Sequence, residues 1–126
     1  MILDSCFLID LMASDPGAVA KLDGFVEDGR LLSVATVSVT EVARGIDDEE
    51  RRATLDDVLS RLDVIPYDRD AAERAANILQ SLDESGEPIG AVDAMVAATA
   101  LSGDGIVVTR NVAEFRRIDG VRVEPY

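Results

Sequence analysis

The feature that most constrains this chain is a series of acidic or amide residues, each placed where an apolar run gives way to a helical pattern. A parallel sheet gathers the carboxyl ends of its strands at one edge, so side chains far apart in sequence can converge there. Carboxylate oxygens at such an edge suit a hard divalent cation. The series therefore predicts an α/β fold with metal-dependent phosphate chemistry. Its members are Asp4 after residues 1–3, Glu41 in residues 38–41, Asp93 after residues 89–92, and Asn111 with nearby Glu114 after residues 106–109.

Short apolar runs alternate with helical periodicity along the chain, and no repeat or low-complexity segment interrupts them. This alternation is typical of a parallel sheet covered by helices on both faces. We therefore predict a single domain over residues 1–126, a three-layer α/β/α architecture with a mainly parallel central sheet. The predicted strands are residues 1–3, 31–35, 64–66, 106–108 and 121–123. The predicted helices are residues 5–12, 16–28, 70–82, 91–101 and 112–115, with two more that open at Ser38 and after the charged residues 47–52.

Several features favour a cytoplasmic protein with no membrane segment. No apolar run approaches the roughly 20 residues of a membrane span. The N-terminus has no basic region or cleavage site of a signal peptide. The single cysteine, Cys6, cannot form an internal disulfide. Because Cys6 stands in an apolar helical stretch with no basic neighbour, we interpret it as a small core residue.

The formal net charge of −13 would repel a nucleic-acid backbone. However, Lys21 is the only lysine among 12 basic residues, and the 25 acidic residues are spread along the chain. This composition favours a halophilic archaeon, in whose cytoplasm molar salt would shorten the Debye length to about 3 Å. In that case the charge reflects the solvent more than the substrate. The alternative is an ordinary acidic protein from a low-salt cell.

The absence of histidine excludes Ser-His-Asp, Cys-His and histidine-metal sites. P-loop and dinucleotide-binding glycine motifs are absent too. A phospho-acceptor receiver domain is another small α/β fold with acids at its strand ends. It needs a lysine after a late strand, and Lys21 stands too early in the chain for that position. Acid and base chemistry must therefore come from carboxylates or from a metal-activated water.

Each acidic position except Asp93 also has a purely structural interpretation. Asp4 could cap the helix that starts at Ser5. Residues 38–41, Ser-Val-Thr-Glu, match a capping box in which Glu41 bonds back to the amide of Ser38. Asn111 could cap the short helix at residues 112–115. These alternatives stay open on the sequence alone.

Asp93 is harder to explain structurally, because it is the only charged residue of the apolar stretch 91–101. Its place in the first helical turn gains only about 0.3–1 kcal/mol from the helix dipole, whereas an unpaired buried charge costs several kcal/mol. A bound cation would compensate. Without the cation, neighbouring carboxylates should repel one another and raise the pKa of the group.

Further polar residues could contact substrate or support the site. Arg44 could form a surface ion pair with Glu41, one helical turn away, or clamp a phosphate. Glu114 could supply charge that Asn111 lacks, since an amide cannot act as a base. The Ser5 hydroxyl could hold a water or a phosphate oxygen. Thr109 and Arg110 precede Asn111 in the turn after the apolar run, and Arg110, Arg116 and Arg117 form a local basic cluster that could offset the acidic field for a polyanion.

At these positions the chain resembles the PIN-domain family and, within it, the VapC-type ribonuclease toxins of toxin–antitoxin pairs. The resemblance covers nearly the whole length, and its segments occur in order. They are Leu-Asp-Ser at residues 3–5, Val-Ser-Val-Thr-Glu-Val-Ala-Arg-Gly at 37–45, Ile-Gly-Ala-Val-Asp at 89–93, and Val-Thr-Arg-Asn at 108–111 with Phe115.

The resemblance implies an endoribonuclease that depends on Mg²⁺ or Mn²⁺, with Asp4, Glu41 and Asp93 as the acidic triad. Asp4 and Asp93 would bind the first metal ion, and Asn111 stands where the family often has a fourth acid. The resemblance also implies a homodimer, and a VapB-like antitoxin whose C-terminal segment covers the RNA-binding groove. Two alternatives remain: a catalytically degenerate PIN-like module that only binds a partner, and a stand-alone RNA-processing nuclease.

Overall fold

The protein contains one sheet of five parallel strands, in the order β3-β2-β1-β4-β5, as seen in a computed structural model that describes all 126 residues. Helices connect the strands, and no helix is long and apolar enough to cross a membrane. The strands are β1 (Ile2–Leu3), β2 (Ser33–Ala35), β3 (Asp63–Ile65), β4 (Ile106–Val108) and β5 (Arg122–Glu124). The helices are α1 (Ser5–Met12), α2 (Pro16–Glu27), α3 (Thr36–Ala43), α4 (Glu49–Ser60), α5 (Arg69–Glu84), α6 (Ala91–Leu101) and α7 (Val112–Arg116).

The hydrophobic core lies on both faces of this sheet, which confirms the predicted three-layer architecture. Neighbouring residues of a strand point to opposite faces. Leu3 and Val108 belong to a core that includes residues of α1 to α4. Ile2 and Val107 belong to the opposite core, which includes residues of α5, α6 and α7. The sheet is entirely parallel, and both of its faces are covered.

Helix α6 occupies residues 91–101, as predicted, and it is the most buried helix of the fold. Its residues 94 and 96–100 are all buried. Alanines at 94 and 98 allow close contact with Ala71 and Ala75 of α5. Because the body of α6 is buried on two sides, this packing sets the position of its first turn, which carries Asp93.

Aspartate side chains cap four of the seven helices, which are α1, α2, α4 and α5. Asp15 accepts a hydrogen bond from the amide of Ala18, and Pro16 occupies the first turn of α2. Asp48 likewise caps α4, so residues 49–52 of the charged stretch, which we placed before the helix, instead form its first turn. Acidic side chains in a first turn are favoured by the helix dipole, which explains the earlier start.

The capping-box prediction at residues 38–41 is wrong. Helix α3 begins at Thr36 directly after β2, with Ala35 as its N-cap and no side-chain cap. Ser38 is therefore fully buried inside the helix, and its hydroxyl has no hydrogen-bond partner. Because the strand turns into the helix without a loop, tertiary packing sets the helix start. Glu41 is left free of a local structural role.

Two glycines give a test of this packing. Gly105 has φ +73°, and an added Cβ would lie 2.9 Å from the carbonyl oxygen of Gly120. Gly105→Ala should therefore lower the free energy of unfolding by about 1–3 kcal/mol. Gly24, inside α2, has open space around its Cβ position, so Gly24→Ala should raise stability by roughly 0.5–1 kcal/mol. Urea unfolding followed by circular dichroism measures both, and equal effects of the two substitutions would contradict the packing described.

Candidate active site

The predicted acidic positions meet at the carboxyl edge of the sheet. Asp4 directly follows β1, and its amide donates to the carbonyl oxygen of Val108 in β4 at 3.0 Å. Glu41 lies in α3, which continues from β2 without a loop. Asp93 lies in the first turn of α6. Adjacent parallel strands thus bring together residues that are up to about a hundred positions apart in sequence.

Asp4 is both a helix cap and a member of this group. Its Oδ1 accepts a hydrogen bond from the Ser5 amide at 2.8 Å, as expected of an N-cap. Its Oδ2 accepts from the Thr109 hydroxyl at 2.7 Å, and the Cys6 thiol lies 3.7 Å from the same oxygen. Asp4 is only 5% exposed. The two interpretations of Asp4 are therefore compatible, since one oxygen caps α1 and the other belongs to the site.

Asn111 contacts Asp93 instead of capping a helix. It occupies the N-cap position of α7, yet its side chain makes no capping hydrogen bond. Instead, its Nδ2 donates to Asp93 Oδ2 at 3.0 Å. The prediction of a side-chain cap is thus wrong, because the nearby carboxylate competes for the amide. Asn111 remains at the site as a neutral hydrogen-bond donor.

Thr109 links the two aspartates. Its hydroxyl donates to Asp4 and accepts a hydrogen bond from the Asn111 backbone amide at 2.9 Å. Thr109 is fully buried. Because its hydroxyl has only one proton, accepting from Asn111 leaves that proton for Asp4. The loop of residues 109–111 therefore fixes Asp4 through Thr109 and Asp93 through Asn111.

The pKa of Asp93 reflects its burial and the negative charges near it. The pKa of Asp93 is raised from 3.8 to about 6. Burial is the largest cause, followed by repulsion from the negative charges of Asp4, Glu41 and Glu114. The hydrogen bond from Asn111 opposes this rise. The pKa of Asp93 is thus raised in the predicted direction, and burial contributes more to the rise than the repulsion on which the prediction rested.

The acidic side chains of the site suit a cation that keeps several bound waters better than a cation enclosed by protein ligands alone. No three acidic side chains converge closely enough to enclose a metal ion directly. Mg²⁺ needs no such cage, since it keeps several waters and usually binds through one or two carboxylates. Asp93 receives a side-chain hydrogen bond on Oδ2 only, so its Oδ1 is left for a ligand. A cation would also relieve the repulsion that raises the Asp93 pKa.

The residues predicted to support substrate binding differ in their exposure and contacts. Arg44 is exposed and forms no ion pair with Glu41, so the predicted surface pair is absent. The Ser5 hydroxyl lies at the start of α1 without a hydrogen bond, so it is available to a ligand. Arg117 donates to the carbonyl oxygen of Pro88. Arg110 pairs with Asp10, and the predicted basic cluster is therefore partly engaged within the protein.

Two features of the site were missed. Cys6 was predicted to be in the core, but it is only partly buried, and its sulfur lies 3.5 Å from the Thr109 hydroxyl. Its place two residues after Asp4, near the first turn of a helix, was a usable signal. The other is Tyr126, which contacts α1 and Arg110. Nothing in the local sequence pointed to it, because its partners are distant in the chain.

A groove of about 220 Å³ adjoins the acidic edge. Side chains from α1, α3 and the start of α4 form its walls, and Glu41 stands among them. The groove is mostly apolar, and Ile9 at its rim is 49% exposed. The lining residues are Ile9, Met12, Ala13, Glu41, Val42, Gly45, Ile46, Arg51 and Thr54.

Comparison with known proteins finds the PIN domain over residues 1–121. The tRNA(fMet)-specific endonuclease VapC of Shigella flexneri is 30% identical, covering 98% of this chain and 96% of its own. The protein of the same name from Salmonella typhimurium is 33% identical over 75% of each chain. Among solved structures, DNA-bound VapBC from Salmonella typhimurium aligns with a TM-score of 0.84 at 29% identity, covering 98% of this chain and 96% of that one.

The raised pKa predicts a pH-dependent cost in stability. Between about pH 4 and pH 6, Asp93 is protonated in the folded chain and ionised in the unfolded chain, so stability falls as pH rises through this window. Above it, Asp93→Asn should stabilise the metal-free protein by about 1–2 kcal/mol, allowing for partial screening. At pH 4 the two proteins should differ little.

Urea unfolding in the presence of a chelator, at both pH values, measures this effect. Asp56→Asn, an exposed position on α4, is the matched control and should change stability at neither pH. A wild-type protein as stable as Asp93→Asn at pH 7.5 would contradict the raised pKa of Asp93.

Proposed function

The chain belongs to the PIN-domain family and, within it, to the VapC ribonucleases, and from that membership we propose that it is a metal-dependent endoribonuclease, the toxin of a toxin–antitoxin pair. The observation that carries the proposal is the meeting of Asp4 and Asp93 at one edge of the sheet, where Thr109 and Asn111 of a single loop each donate a hydrogen bond to one of them. Burial, followed by the charges of Asp4, Glu41 and Glu114, raises the pKa of Asp93 there. A fold does not need four acids at one edge for stability, because they repel one another. Such an arrangement is useful when a cation binds.

We propose that Asp4 Oδ2 and Asp93 Oδ1 hold the cation, Mg²⁺ or Mn²⁺. A bound divalent cation supplies Lewis acidity toward the phosphodiester and makes water a stronger nucleophile at neutral pH. The Thr109 hydroxyl orients the Asp4 carboxylate through the hydrogen bond that it donates. Asn111 does the same for Asp93. These two side chains hold the first ligands in place.

Glu41 and Glu114 are left to act on waters of the site. Both are partly exposed, and both contribute to the field at Asp93. A carboxylate in this position can orient a water and accept its proton, which the neutral Asn111 cannot do. We therefore propose that Glu114 takes over charge at the fourth position, while Asn111 positions Asp93. Ser5 and the exposed Arg44 are candidates to contact the phosphate groups of the RNA.

The apolar groove beside Glu41 suits the C-terminal segment of a VapB-like antitoxin. Apolar side chains would fill the groove, and a basic residue would face Glu41 and the neighbouring carboxylates. The net charge of −13 favours a basic partner. The similar structure from Salmonella typhimurium is a VapBC complex, which supports such a partner here. A homodimer and a cytoplasmic, high-salt setting remain predictions from the sequence.

One observation favours a second candidate, a degenerate module that binds a partner without cleaving RNA. Asn111 replaces an acid at the fourth position and donates a hydrogen bond to a carboxylate that should bind the cation. If Glu114 does not compensate, too little negative charge would remain for catalysis. The stand-alone processing nuclease differs from the toxin only in lacking an antitoxin, and the groove favours the toxin.

Cleavage of initiator tRNA and of total RNA tests the proposal, because two relatives are named for tRNA(fMet). With Mg²⁺ or Mn²⁺, the protein should cut at defined sites, and a chelator should stop it. Asp93→Asn and Asp4→Asn should each lower the rate by about 100-fold or more, through lost stabilisation of transition-state charge. Asparagine remains a good N-cap, so α1 should survive the second substitution.

Asp56→Asn is the control for the change in charge and should retain full activity. The degenerate-module candidate makes the opposite prediction. The proposed nuclease activity would be contradicted if wild type and both site variants alike showed no metal-dependent cleavage at low or high salt.

A further inference from the structure

The guanidinium group of Arg110 contacts two acidic side chains and one aromatic ring. Its Nη2 lies 3.2 Å from Asp10 Oδ2 and 3.7 Å from Asp15 Oδ2. Its guanidinium carbon lies 5.0 Å from the centre of the Tyr126 ring. Asp10 belongs to α1, and Asp15 caps α2, so Arg110 reaches the junction of these two helices. A contact with two acids and an aromatic ring restricts the side chain more than an isolated surface pair does.

Tyr126 fixes the acidic partner of Arg110. Its hydroxyl donates to Asp10 Oδ2 at 2.6 Å, the same oxygen that faces Arg110. Its ring meets the buried Phe7 edge to face, with centroids 4.7 Å apart. Burial and the hydrogen bond to Asp10 raise the pKa of Tyr126, so the hydroxyl remains a donor at physiological pH. Tyr126 therefore contacts both α1 and Arg110, and its hydroxyl holds the Asp10 carboxylate that pairs with Arg110.

The position of Arg110 in the loop gives these contacts a consequence for the site. Its neighbour Thr109 holds Asp4, and its neighbour Asn111 holds Asp93. Asp4 caps the same helix that carries Asp10. The contacts thus close a ring from Asp4 through Thr109 and Arg110 to Asp10, and back along α1 to Asp4.

We propose that Arg110 is a positioning residue that Asp10 and Tyr126 hold in place, and that it sets the loop of residues 109–111 so that Asp4 and Asp93 share one cation. This inference rests on the proposed nuclease function. It departs from the expectation that Arg110 binds the RNA directly. With two carboxylates already at its guanidinium, Arg110 acts on the reaction through its neighbours in the loop.

A double-mutant cycle of Asp10→Ala and Arg110→Ala tests this assignment. Each single substitution should lower kcat by about 10- to 100-fold, the usual effect of removing a group that orients metal ligands. KM for RNA should change little. The double variant should be no slower than Arg110→Ala alone, because both substitutions remove the same contact. Tyr126→Phe, which loses only the hydroxyl, should act in the same direction with a smaller effect.

Arg110→Lys should recover part of the activity, since it keeps a positive charge for Asp10. Arg69→Ala is the matched control, because it breaks an exposed arginine–carboxylate pair with Glu73 inside α5. It should leave kcat and KM unchanged. A rise in KM with unchanged kcat in Arg110→Ala, together with no effect of Asp10→Ala, would overturn the proposal and assign Arg110 to the RNA.

A second measurement does not depend on the nuclease function. The side-chain amide signals of Asn111 in a ¹⁵N NMR spectrum report its hydrogen bond to Asp93. They should shift or broaden in Arg110→Ala, Asp10→Ala and Tyr126→Phe, and stay in place in Arg69→Ala. If wild type cleaves no RNA but these signals move as expected, the nuclease proposal fails and the positioning of the loop stands. If they do not move, the positioning role is wrong.

Discussion

The placement of the Asp93 carboxyl, half-buried and beside other acidic side chains, is the constraint on which the rest of the site depends. Burial and three nearby negative charges raise the pKa of this carboxyl to about 6, so the metal-free protein carries a cost at neutral pH. The fold tolerates this cost because α6 is buried along most of its length and cannot easily move away. A cation at this edge converts the repulsion into binding energy. Cation binding therefore explains why these carboxylates lie together, which the stability of the metal-free fold does not.

The loop of residues 109–111 turns a group of acids into an ordered site. It follows the buried strand β4, whose neighbours β1 and β5 hold it in register. Thr109 and Asn111 each give one hydrogen bond to an aspartate, while Arg110 points the other way, to α1 and α2. The same loop thus joins the two proposed metal ligands to the packing of the helices. Under the proposed positioning role of Arg110, a residue outside the site such as Tyr126 affects the geometry of Asp4 and Asp93.

Local patterns predicted the elements that local chemistry determines. The bounds of α1 and α6 and the N-cap at Asp4 were right, because periodicity and capping act over a few residues. The convergence of Asp4, Glu41 and Asp93 was also predictable, since it follows from parallel topology. The predicted caps at Ser38 and Asn111 failed where tertiary contacts override local preference. Thr109 with Asp4 and Tyr126 with Asp10 are separated by more than a hundred residues, and no local pattern encodes such pairs.

The pKa of Asp93 in the metal-free protein is the most direct test of this account. A ¹³C NMR titration of the side-chain carboxyl should give a value of about 6. The value should fall in Glu41→Gln, which removes one neighbouring charge, and saturating Mg²⁺, which is diamagnetic, should abolish titration in this range. An Asp93 that titrates near 3.8 in the absence of metal, unaffected by Glu41→Gln, would contradict the claim that these carboxylates form one cation site.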